Sequence, residues 1–137
     1  MIAVLSALVL ATIMAPFLIF FVGRPAFGAL AIVPGAGFFW VLKQLTTGAF
    51  RDGATLSYTM EWMPDANLNV DLRMDALSAL FSLIILGVGA LVLLYCWGYF
   101  DQTPRRLAMF GSQMVCFATA MYGLVISDSF LMMYVFW

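Results

Sequence analysis

Charge is the scarcest commodity in this 137-residue chain, and histidine is missing altogether. Six Lys and Arg against seven Asp and Glu make it 9% charged, with a net charge of −1. Such a balance favours neither nucleic acid nor an anionic membrane surface as a partner, and no nucleic-acid partner is expected. Only two cysteines occur, Cys96 and Cys116. Both lie inside apolar runs at no spacing that resembles a metal or redox motif, so they read as small hydrophobes. The sequence carries no phosphate-cradling loop, no metal-ligand cluster and no nucleophile–base set. No catalytic, cofactor-binding or metal-binding residue, and no cofactor, is expected from it.

What fills the chain instead is hydrocarbon. It is 65% hydrophobic, with a mean hydropathy of +1.05, where soluble domains run nearer half apolar and a quarter charged. The few charges are also segregated. Residues 1–23, 26–42, 76–100 and 107–127 contain no Asp, Glu, Lys, Arg or His. Each run is about 17 to 25 residues long, the length a membrane-spanning helix needs. The first lacks a basic leading stretch and is too long for a signal peptide, so it reads as a retained helix. The expected fold is an all-α membrane protein, one membrane segment over 1–137. Its helices lie near 2–22, 26–43, 75–100 and 107–126, and a fifth starts at 129–137. That last run reaches only about 15 Å, half of a hydrocarbon core, and reads as the opening of a longer membrane protein.

Proline and glycine punctuate the helices. Pro16 is a candidate kink in helix 1, and Gly23-Arg24-Pro25 reads as a tight turn. Pro34-Gly35-Ala36-Gly37 is expected to interrupt helix 2. Such a break signals either a packing kink or, in some transporters, a transport site. Gly87 and Gly89, with Ser78 and Ser82, offer small surfaces for close helix packing in helix 3. That helix closes on Tyr95, Trp97, Tyr99 and Phe100, an aromatic belt at headgroup level.

Residues 47–74 form the only polar stretch of any length. Leu56, Tyr58, Met60 and Trp62 alternate with Ser57, Thr59 and Glu61. Past Met63-Pro64-Asp65-Ala66-Asn67 the alternation resumes, with Leu68, Val70, Leu72 and Met74 set against Asn69, Asp71 and Arg73. Period-two alternation on both sides of a turn predicts a β-hairpin between helices 2 and 3. Two strands alone are marginal in water, so the hairpin is expected to dock its apolar face on the helix ends or interface.

Ionisable groups deep in spans mark ion pathways, and none lies well inside these four. Asp71, Arg73, Asp75 and Asp128 sit at mouths or loops. Asp71-x-Arg73-x-Asp75 reads as a solvated hairpin edge carrying a local ion-pair set, or else as a proton entry site. Asp75 is a candidate helix-start acid, and Asp128 a helix N-cap. Arg24, Arg105 and Arg106 in the short loops balance Lys43, Arg51 and Arg73 around the long one. The tie is broken by Arg105-Arg106 in so short a loop, which places that loop inside and the N-terminus outside.

Several stretches resemble a known family. They are Glu61-Trp62-Met63-Pro64; Asp71 with Asp75-Ala76-Leu77-Ser78, Leu80-Phe81-Ser82-Leu83-Ile84-Ile85, Gly87 and Gly89; and Leu94-Tyr95 with Gly98-Tyr99-Phe100. Gly123-Leu124-Val125-Ile126-Ser127-Asp128-Ser129, then Leu131 and Tyr134-Val135-Phe136-Trp137, complete the set. Together they resemble the antiporter-like membrane proteins. These include the large A-type subunits of Mrp multisubunit Na⁺/H⁺ antiporters and the proton-pumping subunits of respiratory complex I. The Trp-Met-Pro element sits better with the Mrp proteins. In that family the Phe-Trp pair precedes a membrane-embedded glutamate that pairs with a lysine on a later helix. Neither half of that pair maps onto residues 1–137. The resemblance implies a scaffold segment of a monovalent cation (Na⁺)/proton antiporter subunit, multi-pass in the plasma membrane. Its partners would be other membrane subunits and the lipid bilayer, with Na⁺ and H⁺ as transported ions, so a secondary transporter and not an enzyme. The alternatives are a complex I pumping subunit or a truncated product acting only in assembly.

Overall fold

The computed structural model describes residues 1–50, 53–63, 68–99 and 104–137, the backbone alone at 60–63, 68–69 and 104–105. Arg51, Asp52, the Pro64-Asp65-Ala66-Asn67 turn, Phe100 and Asp101-Gln102-Thr103 lie outside the described residues, as do the side chains of Glu61, Trp62 and Arg105. The elements in chain order are α1 (Ile2–Val22), α2 (Pro25–Thr46), β1 (Leu56–Met63), β2 (Leu68–Met74), α3 (Ala76–Tyr99), α4 (Pro104–Ile126) and α5 (Phe130–Phe136).

Four of the helices are long and apolar enough to cross a membrane. They are apolar nearly all round, and large side chains such as Phe17, Ile32, Ile84, Leu91 and Phe117 are exposed on their outer faces. In water that would be prohibitive; against lipid tails it costs nothing. The chain is a multi-pass membrane protein. α1 stops where Gly23 turns to φ +77° and donates its N–H to the Ile19 carbonyl at 2.9 Å. Only glycine enters that region without strain. Pro25 then opens α2 in the first turn, where its missing N–H is not needed.

The interruption expected at Pro34-Gly35-Ala36-Gly37 does not occur: α2 runs unbroken from Pro25 to Thr46. Pro34 is buried, and Gly37 backs onto Val4 of α1 and Leu86 of α3. Packing on both sides holds the helix through its one missing hydrogen bond, and unwinding further in lipid would orphan several more.

α2 packs chiefly on α3, and α1 chiefly on α4, one pair nested inside the other in sequence. Two apolar clusters result. One, at the end that carries the α1–α2 turn, gathers Ile19, Phe27, Leu30, Leu93, Cys96 and Val115. Arg24 closes that end, its Nη2 donating to the carbonyls of Trp97 (3.3 Å) and Gly98 (3.4 Å) at the finish of α3. There Tyr95 and Tyr99 stack with ring centroids 5.0 Å apart, and with Trp97 they are exposed, as an interfacial belt requires.

The second cluster joins Leu8, Val41, Leu86, Tyr122 and Ile126 to Leu72 and Met74 of the hairpin. β1 and β2 pair antiparallel, Leu56 opposite Met74 and Tyr58 opposite Leu72, with an irregularity between Glu61 and Met63. The apolar face lies on the helix ends as the alternation predicts, with Leu72 and Met74 buried between exposed or half-exposed Asp71, Arg73 and Asp75. Tyr58 departs from it and is exposed.

Candidate functional site

Polar chemistry collects at two levels. The first is a mouth where the hairpin meets the helices. The α4–α5 link attaches to the free edge of β2: Leu72 and Ser127 form an antiparallel bridge, and the Asp128 N–H donates to the Asp71 carbonyl at 3.0 Å. Asp128 therefore does not take the N-cap role expected of it. Ser129 occupies that position in α5, without a side-chain cap. The strand edge has an unpaired carbonyl to satisfy, and the Asp128 backbone reaches it.

A polar pocket of about 190 Å³ opens here, lined by Arg73, Asp75, Ser78, Val125, Ser127 and Asp128. Asp75 Oδ1 accepts the Ser78 N–H at 2.7 Å, so it caps α3 as the helix-start acid expected. The Ser78 backbone hydrogen bond, then its hydroxyl, hold the Asp75 carboxyl below its ordinary value of 3.8, with Arg73 adding a smaller pull. The expected ion-pair set does not close among the described residues. Arg73 acts on Asp75 from a distance, because the strand ends at Met74 and Asp75 has turned into the cap.

A consequence follows for acid stability. Because the folded pKa is depressed, the stabilisation from ionised Asp75 is complete above its unfolded value and is lost as pH falls through the lower folded one. Asp75→Asn, which can still cap, is expected to leave the start of α3 insensitive to pH below about 4. Amide exchange at Ser78 and Ala79 in both proteins checks this; equal acid sensitivity refutes it.

The second level is mid-membrane. Thr12 of α1 and Thr119 of α4 approach with their Oγ1 atoms 2.8 Å apart, while each also donates backward in its own helix, Thr12 to Leu8 (2.9 Å) and Thr119 to Val115 (2.8 Å). Each hydroxyl has one hydrogen, so the backward bond of one threonine gives way whenever the shared bond forms. Such interhelical bonds are worth about 0.6 to 2 kcal/mol in a bilayer. The pair lines a pocket of about 230 Å³ with Cys116, Val135 and Phe136, where α5 meets α1 and α4. Sequence reasoning passed over both threonines; a threonine near the centre of each of two charge-free runs was the available signal.

The chain has counterparts among known proteins. The family described as NADH-ubiquinone oxidoreductase (complex I), chain 5 N-terminus, matches residues 61–110. The Na⁺/H⁺ antiporter A1 subunit of Staphylococcus aureus (strain JH9) is 38% identical over 99% of this chain and 17% of its own length. This chain is similar to the N-terminal part of the large A-type subunits of Na⁺/H⁺ antiporters. The A1 subunit of Staphylococcus haemolyticus (strain JCSC1435) is 39% identical over 77% of this chain and 13% of its own. A solved structure of the Mrp complex from Dietzia sp. DQ12-45-1b matches with a TM-score of 0.82 at 27% identity, covering 98% of this chain and 14% of the matched one. The chain thus spans less than a fifth of the length of these relatives. The polar mouth, the hairpin and the threonine pair all lie inside the matched segment.

Proposed function

We propose that residues 1–137 form the N-terminal scaffold segment of a monovalent cation (Na⁺)/proton antiporter subunit. The whole would be a secondary transporter working with other membrane subunits in the plasma membrane. The single observation that supports this best is the 38% identity to an Na⁺/H⁺ antiporter A1 subunit sustained over 99% of the chain. The segment supplies frame more than relay. Among the described residues, acids gather at the hairpin mouth, and the middle of the helix pairs carries no Asp, Glu, Lys or Arg. A charge relay needs ionisable groups at depth, so the exchange chemistry is assigned to the remainder of the longer protein.

In everted vesicles from an antiporter-deficient host, residues 1–137 expressed alone are expected to give no Na⁺-dependent ΔpH. Robust exchange from this segment alone would overturn the assignment. The complex I reading is supported by the family matched at residues 61–110. Copurifying proteins separate the two: small hydrophobic partners favour the antiporter, flavin and iron–sulfur proteins the oxidoreductase.

The proposed orientation has the N-terminus and the hairpin outside and Arg24 and Arg106 inside, following the positive charge of the short loops. Ser57 is exposed on β1. With Cys96 and Cys116 replaced by alanine, Ser57→Cys should react with a membrane-impermeant maleimide in intact cells. Reaction only after the membrane is opened would invert the topology.

A further inference from the structure

Small residues leave a furrow on the outer face of the α2–α3 pair. Gly28, Ala31 and Gly35 on α2, with Gly87 and Ala90 on α3, line an apolar groove of about 550 Å³. That volume lies within the range of about 300 to 1,000 Å³ that small-molecule sites occupy. Ile32 and Leu91 also line it and are exposed. A Cβ on Gly35 would meet no atom within 4 Å, so the middle of the groove is open space. In a membrane this face meets hydrocarbon, and an unfilled furrow would forfeit the dispersion contacts of its walls.

Two features select the occupant, and the first is length. The groove runs along α2 from Gly28, whose Cβ position lies 3.1 Å from the Trp97 ring, to Phe39. Eleven helical rises, 39 less 28, separate them. At roughly 1.5 Å each they cover about 16 Å, one leaflet of a hydrocarbon core about 30 Å thick. At the deep end the Phe38 ring lies 3.1 Å from the Cβ position of Gly87 and meets Phe39 edge to face at 5.6 Å. Phe39 is exposed there. A spanning helix needs the whole depth, about 20 residues, and would meet Phe39 half-way. An acyl chain of one leaflet ends at that level.

The second feature is charge. Arg24 precedes Gly28 by one turn, on the same stripe, and its backbone is already helical. Its side chain leans across to α3, where Nη2 donates to the carbonyls of Trp97 and Gly98. The guanidinium therefore lies at the shallow end of the groove, and its five-donor fork suits phosphate oxygens. Exposed Tyr95, Trp97 and Tyr99 set that end at headgroup level.

We propose that the α2–α3 groove binds one anionic phospholipid, with an acyl chain between Gly28 and Phe39 and the phosphate at Arg24. The site rests on the groove, its depth and its charged mouth, and is independent of the antiporter reading.

Photolabelling identifies the occupant. The full chain is placed in phosphatidylcholine vesicles containing a trace of phosphatidylglycerol with a diazirine on its acyl chain, and labelled residues are mapped by mass spectrometry. Phe17, exposed on α1 at a similar distance from the α1–α2 turn, is the reference. Ile32 and Leu91 are expected to take up about fivefold more label than Phe17, the order of preference that one arginine gives an anionic lipid. Arg24→Gln, which keeps a donor for the Trp97 carbonyl, should reduce the phosphatidylglycerol probe to the level of a phosphatidylcholine one. Gly35→Leu fills open space, and should lower label at Ile32 and Leu91 by about threefold or more while sparing Phe17. Equal labelling of Ile32 and Phe17 in the unaltered protein would mean bulk lipid only, and overturns the site. So does labelling that Gly35→Leu leaves untouched, or a phosphatidylglycerol preference that survives Arg24→Gln. Label on Phe17 without label on Ile32 would put a protein helix in the groove, and overturns it as well.

Discussion

Gly111→Leu is expected to separate α4 from α1 and α2 and to be the most damaging single change in this segment. A Cβ on Gly111 already overlaps Ile19 and comes within 2.7 Å of the Phe27 ring. Both neighbours are fully buried, so neither has free space to move into. Overpacking of this kind costs about 1 to 3 kcal/mol, and a branched four-carbon side chain lies at or above the upper end. Lipid makes the loss harder to recover, because helix association there depends on close van der Waals fit and not on exclusion of water. Thermal unfolding of the detergent-solubilised protein should shift down clearly for Gly111→Leu and less for Gly111→Ala, whose single methyl presses on Ile19 and the Phe27 ring but adds no further atoms to the contact. Equal midpoints for all three proteins would show that α4 does not approach so closely.

Met74→Ala is expected to release the hairpin while leaving the spanning helices inserted. Met74 is 0% exposed and, with Leu72, forms the apolar underside of β2. Truncating a fully buried methionine costs about 2 to 5 kcal/mol, against a two-stranded unit that has little stability of its own. Unlike the helix pairs, this contact lies at the membrane surface, where the hydrophobic effect operates at full strength. Limited proteolysis from the hairpin side should cut within residues 53–74 many times faster in the variant, with the helical content unchanged by circular dichroism. A matched reduction in helix content would mean that the hairpin holds α3 in place as well. The resistance of Arg73→Ala to the same protease serves as the contrast, since Arg73 is exposed.

Much of this architecture is legible before any coordinate is known, for a physical reason. Lipid forbids charge and unpaired backbone, so four runs without Asp, Glu, Lys or Arg announce four helices. Alternation in Leu68-Asn69-Val70-Asp71-Leu72-Arg73-Met74 likewise announces a strand with one dry face, and Leu72 and Met74 are dry. What escapes the sequence is relational. Pro34 reads as a break because proline weakens an isolated helix, but the clasp of Val4 and Leu86 around Gly37 comes from other helices. Asp128 reads as a cap because the residue type favours caps, whereas the Asp71 carbonyl it meets lies on a strand 57 positions earlier, 128 less 71. Thr12 and Thr119 carry no mark of their partnership at all. Nothing local in an apolar run says which neighbouring helix it will face.

The nesting of α2–α3 within α1–α4 sets a timetable for synthesis. A helix delivered early into the bilayer can rest only on what has already arrived. α2 and α3 emerge in succession and pair at once, the hairpin folded between them. α1 is made first, yet its main partner is not complete until Ile126, about a hundred residues later. At roughly 5 to 20 residues per second this is a wait of about 5 to 20 s. For that interval Thr12 faces lipid or the insertion machinery with only its own Leu8 carbonyl for company, and the arrival of Thr119 marks the moment at which the first helix is locked in.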